Sequence, residues 1–420
     1  MPDRTSLDGP ARTLSAPTAT ASTLVVSHRP EEYRLFMIAG EHSGDALGAK
    51  LMATLNAQYK GRIRYLGVGG EGMAKQGLIS QFPITDVAVM GLTSIIPRLP
   101  RIVRRVYSTV DSAIAAEPNA VVIIDSPEFT HPIAKRIRRR RPDLPIIDYV
   151  SPTVWAWRPG RARKMRRYVD HVLALLPFEP EAHARLGGPP CTYVGHPLIE
   201  RRDWLARLDP APLSALLGLD PAKPVVVVLP GSRRSEVGRL MEPFGEAIRL
   251  LGRDGKRLPE VIIPTVASVR DLVAAGAARW PFKPHFVENE EDKFRAFRLA
   301  RAALAASGTV TLELAMAGTP AVVAYKVDGM ARHLRFMVKV PSIVLANLAA
   351  GETIYPEFIQ EDCTAEKLVA ALEPLMSDSA ERRQQLDALA RLPARMALDG
   401  GTPSEAAAGI VMHYAAGGRG

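Results

Sequence analysis

Short apolar runs recur along this 420-residue chain, each closed by a small polar turn and followed by a stretch with helical spacing. Continuous apolar strands of this kind are buried on both faces. Their alternation with helices is the pattern of a parallel sheet covered by helices. The runs 34–39, 62–68, 120–124, 145–150, 171–176 and 192–194 form a first series. A Pro-, Asp- and Leu-rich connection over residues 202–223 interrupts it. The run 224–229 (PVVVVL) opens a second series, continued at 260–264, 285–287, 302–305 and 321–325. The expected fold is therefore α/β: two doubly wound domains, 33–200 and 201–395, and a tail, 396–420, free to pack on either. Residues 1–32, rich in Ser, Thr, Ala and Pro, read as a flexible extension without the apolar core of a secretory signal.

Composition supports folded domains. Hydrophobic residues make up 47% of the chain, enough for ordinary cores, which excludes a disordered chain and a small disulfide scaffold. Cys191 and Cys363 lie far apart with no CxxC or His-rich neighbour and read as reduced thiols of a cytoplasmic protein. No apolar run approaches the ~18 residues of a membrane span, and no short repeat suggests a solenoid. The net charge of +10 is local: residues 98–168 hold 16 basic and 6 acidic side chains, and the rest of the chain balances. Such a patch calls for an anionic partner: nucleic acid, membrane or a phosphorylated substrate. Nucleic acid is disfavoured, because neither stacking aromatics nor a recognised module accompanies the patch.

Ligands of doubly wound sheets bind beyond the carboxyl ends of the strands, and two such domains put that crevice between them. After the first strand comes Gly40-Glu41-His42-Ser43-Gly44-Asp45. Its glycines permit a tight turn, Ser43 can cap the following helix, and Glu41 is either a ligand contact or a capping carboxylate. The spacing is not GxGxxG, which disfavours a dinucleotide. The run 120–124 ends at Asp125, the best candidate general base unless it only caps the next helix. Glu128, three residues on, can support it or bind substrate. Trp155 and Trp157 offer flat apolar faces to a sugar ring or a lipid, or else pack a core loop. Gly231, Ser232 and Arg233 join a helix start to a guanidinium, a receptor for a diphosphate. The Lys-Ser/Thr ending of Walker A is missing, which disfavours ATP hydrolysis. Ser307, Gly308 and Thr309 open another helix in the same way. Glu313, one turn in, can accept both hydroxyls of a ribose. Two anion-receiving helix starts and a diol acceptor point to a nucleotide-diphosphate donor.

Together the motifs carry a family resemblance. GEHSGD (Gly40–Asp45), VSPTVWAWR (Val150–Arg158), LPGSRRSEV (Leu229–Val237), ASGTVTLELAMAGTP (Ala306–Pro320) and SIVLANLAAG (Ser342–Gly351) occur in one order within about residues 33–395. This resembles the lipid-A-disaccharide synthase family of GT-B glycosyltransferases. The resemblance implies two Rossmann-like domains facing a central cleft, the first for acceptor and membrane, the second for a UDP-sugar donor. It implies an inverting transfer from UDP-2,3-diacylglucosamine to 2,3-diacylglucosamine 1-phosphate (lipid X), which forms the β-1,6-linked lipid A disaccharide 1-phosphate and releases UDP, without cofactor or metal. On that pattern Asp125 deprotonates the acceptor 6-hydroxyl, Arg233 and the helix starts at Ser232 and Ser307 hold the diphosphate, and Glu313 binds the ribose. Glu41, Asn347 and Gln360 join the site on the same pattern. His42 stands where related sequences vary. Glu128 stands where many relatives carry Asp, which leaves Asp125 the better base. A UDP-N-acetylglucosamine epimerase or the peptidoglycan N-acetylglucosaminyltransferase is the alternative, since both share the donor-domain logic.

Acylated substrates also give a reading for the stretch from Met90 to Arg105. Apolar side chains there alternate with Arg98, Arg101, Arg104 and Arg105. The pattern resembles an element that dips into a bilayer while Arg meets lipid phosphates, or an ordinary amphipathic surface helix. The basic patch then reads as a docking face for the anionic inner membrane, on a cytoplasmic, peripherally attached protein of a Gram-negative bacterium. The oligomeric state stays open, with a homodimer admissible.

Overall fold

The computed structural model describes residues 32–87, 99–327 and 341–418. The expected extension up to residue 31, and Arg98 with the apolar run before it, lie outside the described residues. Among the described residues, β1 (Tyr33–Ala39), β2 (Ile63–Val68), β3 (Ile79–Ser80), β4 (Ala120–Ile124), β5 (Ile146–Tyr149), β6 (His171–Ala174) and β7 (Cys191–Tyr193) form one sheet in the order β3-β2-β1-β4-β5-β6-β7. A second sheet holds β8 (Val225–Leu229), β9 (Glu260–Pro264), β10 (His285–Val287), β11 (Ala300–Ala306), β12 (Ala321–Tyr325) and β13 (Glu357–Ile359), in the order β10-β9-β8-β11-β12-β13. All the strand pairings are parallel.

The central strands explain the pairing. Every residue of β4 (AVVII) and β8 (VVVVL) is buried, as a sheet covered on both faces requires. In each sheet the chain winds outward from its first strand, then returns to the other side of it. The strand order therefore reverses between β1 and β4, and again between β8 and β11. The loops leaving those paired strands diverge and open a crevice. Register sets Ala39 against Ile124 and Leu229 against Ala305, so the turns that follow sit side by side.

The segment after residue 396 goes to the first sheet. The helix Pro403–Ala415 starts with a capping box between Thr402 and Glu405. It buries Ala407, Ala408, Val411, Met412 and Tyr414 in the core that covers one face of that sheet. Tyr414 Oη lies 3.1 Å from His171 Nδ1. The helix Ala380–Arg395 stays with the second sheet through Ala388, Leu389 and Leu392. Glu200 ties the joint, bound by Lys50 Nζ at 2.6 Å and by Ser404 Oγ at 2.8 Å.

One acid of the first motif serves the fold. Asp45 is buried, and its carboxylate accepts from the backbone N–H groups of Gly70 (2.7 Å), Gly72 (2.8 Å) and Met73 (3.0 Å). It thereby caps the short helix Glu71–Ala74 and locks it to the helix His42–Tyr59. Charge-assisted bonds of this kind are the stronger ones. Asp45→Ala is expected to cost about 3 kcal/mol, read as a lowered midpoint in equilibrium urea unfolding.

Candidate active site

The crevice edge begins at β4. Asp125 and Ser126 both adopt left-handed backbone (φ 54° and 45°) as the strand turns into the helix Pro127–Arg140. That turn brings Ser126 against Gly40 of the neighbouring loop. A Cβ at Gly40 would lie 2.6 Å from Ser126 Cβ, so no other residue fits there without displacement. Asp125 Oδ1 accepts from its neighbour's backbone, Ser126 N, at 2.7 Å, and Oδ2 accepts from Ser43 Oγ at 2.9 Å. Thr130 Oγ1 donates to the Asp125 carbonyl at 2.9 Å and holds the turn.

One expectation for the first motif is corrected here, and one of two alternatives drops out. Ser43 does not cap the helix. The helix starts at His42, inside which Ser43 turns its hydroxyl to Asp125. Glu41 occupies the N-cap position but makes no side-chain cap bond. Its carboxyl is instead held above its ordinary value, first by burial and then by the Asp125 charge. The Ser126 hydroxyl, Arg233 and His42 oppose that rise. Glu41 and Asp125 are thus a carboxylate pair at the first strand reversal, and the charge of Arg233 in the second domain reaches Glu41.

Arg233 leads into the helix Arg234–Leu251. Gly231 before it has φ 109°, and a Cβ there would lie 2.5 Å from Glu236 Oε2. Glu236 is buried in that turn. Its Oε2 accepts from Ser232 N (3.2 Å) and Arg233 N (3.3 Å), and its Oε1 from Arg233 Nη1 (2.8 Å). The backbone donors expected to face a diphosphate are therefore occupied by the protein's own carboxylate. The Arg233 side chain, though bonded to Glu236 through Nη1, is largely exposed. Its affinity for protons is raised by the Glu236 bond, against burial.

The other donor-side residues divide. Glu313 Oε2 accepts from Lys293 Nζ at 2.8 Å, a partner that sequence spacing did not signal. Ser307 Oγ donates to the Ile343 carbonyl at 2.7 Å, next to Gly308 and Thr309, which lead into the helix Val310–Met316. The Asn347 amide is spent on its own loop. It donates to Tyr355 O (2.9 Å) and Glu357 Oε1 (3.2 Å), and accepts from Ile354 N (3.0 Å) and Tyr355 N (2.9 Å). Gln360, at φ 56°, accepts from Val327 N at 2.7 Å.

On the first domain, Glu128 is exposed and pairs with Arg161 at 3.2 Å, away from Asp125's two bonds. The two tryptophans part company. Trp157 is exposed, with the Arg158 guanidinium 4.2 Å above its ring. Trp155 is partly buried and lines a cavity of about 370 Å³ with Phe178, Ser342, Asn347 and Leu348, so both domains contribute to its wall. Among the described residues no group of three or more His, Cys, Asp or Glu is placed to hold a metal ion.

Two doubly wound parallel sheets in one chain are the architecture of the GT-B fold. Solved structures with this fold include UDP-GlcNAc 2-epimerase from Neisseria meningitidis (TM-score 0.60, 12% identity, 90% of this chain and 99% of that one). The calicheamicin glycosyltransferase CalG4 is also similar (TM-score 0.54, 16% identity, 92% and 98%). The family model for lipid-A-disaccharide synthetase matches residues 35–397. Lipid-A-disaccharide synthase of Nitrobacter hamburgensis is 52% identical over 90% of this chain and 95% of its own length. That of Rhodospirillum centenum is 41% identical over 90% and 94%. The chain belongs to the lipid-A-disaccharide synthase family and is a glycosyltransferase that makes the lipid A disaccharide.

The raised Glu41 carboxyl has a pH signature. The folded state holds this proton more tightly than the unfolded chain does, so stability is lost as pH rises from 4.5 through the raised value. Glu41→Gln is expected to raise the melting temperature at neutral pH, and the gain should shrink towards zero at about pH 4. Calorimetry at both pH values checks it.

Proposed function

We propose that this chain condenses UDP-2,3-diacylglucosamine with 2,3-diacylglucosamine 1-phosphate, and that Asp125 is the general base. The observation that carries this is the Asp125 carboxylate at the strand reversal, oriented by Ser126 N–H and Ser43 O–H, beside Glu41, which feels the charge of both Asp125 and Arg233. The acceptor 6-hydroxyl oxygen attacks C1 of the donor sugar from the face away from UDP. The C1–O bond to the diphosphate breaks, UDP leaves with the electron pair, and the hydroxyl proton passes to Asp125. A carboxylate has about four acceptor positions, so two fixed bonds leave room for the substrate hydroxyl.

Charge grows on the leaving diphosphate, and a guanidinium aimed at it does the work a metal does elsewhere. Arg233 fills that role. Glu236 holds that loop in shape through Ser232 N–H, Arg233 N–H and the Arg233 guanidinium. Glu313, its Oε2 pinned by Lys293, keeps Oε1 for the ribose diol. Asp125→Asn is expected to lower turnover by about 10²–10⁴ while UDP affinity is kept, measured as UDP release with both acylated substrates present. Near-normal turnover would remove Asp125 as base. A preference for UDP-N-acetylglucosamine over the acylated donor would favour the epimerase or peptidoglycan alternative.

The acceptor domain also suits an anionic bilayer at the cytoplasmic face of the inner membrane. No helix among the described residues is long and apolar enough to cross a membrane. The helix Leu99–Ala115 instead exposes Leu99 (51%), Val103 (45%) and Tyr107 (52%), spaced four apart along one stripe. Arg104 is exposed beside them, and the Arg136 guanidinium lies 4.9 Å from the Tyr107 ring centre. Arg105 has a different role. It bonds Asp86 at 2.6 Å and covers Phe82 at 4.4 Å, which ties the helix to the domain. Arg101 reaches the same Asp86 at 3.6 Å. Replacing Leu99, Val103 and Tyr107 by Ser should weaken co-sedimentation with anionic vesicles at least about tenfold and leave UDP affinity unchanged. Unchanged vesicle binding would overturn the assignment.

A further inference from the structure

Glu179 is an acid that the reaction above does not use. It is 3% exposed, at the first position of the helix Glu179–Leu186. Its carboxylate is gripped by three uncharged N–H donors. Leu175 N (3.1 Å) and Leu176 N (3.0 Å) donate to Oε2, and Trp155 Nε1 donates to Oε1 at 3.0 Å. Burial pushes its pKa to about 7, against the bonds from Trp155, Leu176, Leu175 and Ser151. A buried anion held only by neutral donors costs stability unless every bond is made.

Those bonds join two loops that leave neighbouring strands. Trp155 follows β5, and Leu175 and Leu176 follow β6. The Trp155 and Phe178 rings then meet edge to face, 5.0 Å between centroids and 83° between planes. With Glu181, Ala182 and Arg185 they form the first-domain wall of the 370 Å³ cavity, a volume within the roughly 300–1,000 Å³ of small-molecule sites. The opposite wall belongs to the second domain, with Ser342, Glu352 and Thr353 as its polar side chains beside Leu348 and the internally bonded Asn347. An aromatic face set among polar side chains suits a sugar ring, which has apolar C–H faces and a polar rim.

Position separates the two sugars of the reaction. Arg233 and Glu313 receive the nucleotide side of the donor on the second sheet. Trp155 lies on the loop after β5, and β5 pairs directly with β4, with Tyr149 beside Ile124, the residue before Asp125. A ring on Trp155 is thus on the base's own side of the crevice.

We propose that the Trp155–Phe178 wall is the platform for the acceptor's hexosamine ring, and that Glu179 is a positioning residue that acts through the Trp155 indole N–H. This rests on the acceptor reading above. Glu179→Gln replaces one acceptor oxygen with a donor, so the carboxamide cannot accept from all three N–H groups. Trp155→Phe keeps an aromatic ring and deletes the anchored N–H.

The experiment measures UDP release by the full chain at varied lipid X and varied acylated donor, with melting temperatures. The variants are Glu179→Gln, Trp155→Phe and the double. Expected is a rise of about tenfold in KM for lipid X in each single variant, with donor KM and kcat within about twofold. The double variant should be no worse than either single, because both remove one interaction. An unchanged lipid X KM with a lowered melting temperature would make Glu179 a structural joint only and overturn the proposal. A rise confined to donor KM would overturn it in favour of the donor sugar. If Glu179→Gln does not fold, Trp155→Phe alone must show the lipid X effect for the proposal to stand. Failure of the unmodified chain to release UDP with both acylated substrates would sink the acceptor reading itself, an outcome separate from these.

Discussion

Parallel pairing of β1 with β4, and of β8 with β11, governs where every reactive group can sit. A parallel neighbour must be reached by a crossover, so each strand's carboxyl end emits a loop on the same side of the sheet. Where the winding reverses, adjacent loops turn apart and leave a gap. Glu41 and Asp125 flank the first gap; Arg233 and Ser307 flank the second. Backbone strain collects at the same ends. Asp125, Ser126, Val150, Arg158 and Gln360 all hold positive φ, a conformation costing of order 1–3 kcal/mol each. Such costs are tolerated where surrounding bonds over-determine the turn, as Thr130 and Ser43 do at Asp125.

Much of this was legible before any coordinates. Buried parallel strands announce themselves as continuous apolar runs, and β4, β8 and β12 carry that signal without ambiguity. The edge strands β3 (IS) and β13 (EFI) do not, because neither is a continuous apolar run and neither is fully buried. That the candidate groups sit at strand ends was legible for the same reason as the strands, since position follows from topology. What each side chain touches was not. Asp45 and Asp125 are both acids near the first reversal, yet one caps a helix and the other faces the crevice. Only the fold brings Gly70 and Ser43 to them. The occupation of Ser232 N–H and Arg233 N–H by Glu236 had a local sign, an acid three residues after the N-cap. The Lys293 partner of Glu313 and the Trp155 partner of Glu179 lie 20 and 24 residues away and had none.

The basic excess divides by environment in the same way. Two of the region's few acids, Asp111 and Glu128, hold Arg140 and Arg161, and Asp86 from outside it holds Arg105. These pairs fasten helices to one another and contribute little each to stability where water reaches them. Arg101 and Arg138 are paired as well, with Asp86 and Asp170, and the excess of cations that the region's own acids do not match raises the local potential. A local sum of charges thus marks a surface, while the partner of each cation decides whether it fastens or attracts.

The helix Pro403–Ala415 completes the core of a domain whose strands are the first to leave the ribosome. Roughly 200 residues separate the last strand of that sheet from this helix, about 10–40 s of synthesis at ordinary rates. During that interval the apolar face that receives Ala407, Val411 and Met412 has no cover. The second domain, whose core closes with the helix Ala380–Arg395, is therefore able to finish before the first. Vectorial order is inverted: the amino-terminal half waits on the carboxy-terminal one, and a chain stalled between them exposes a sticky sheet face to whatever chaperone or neighbour is at hand.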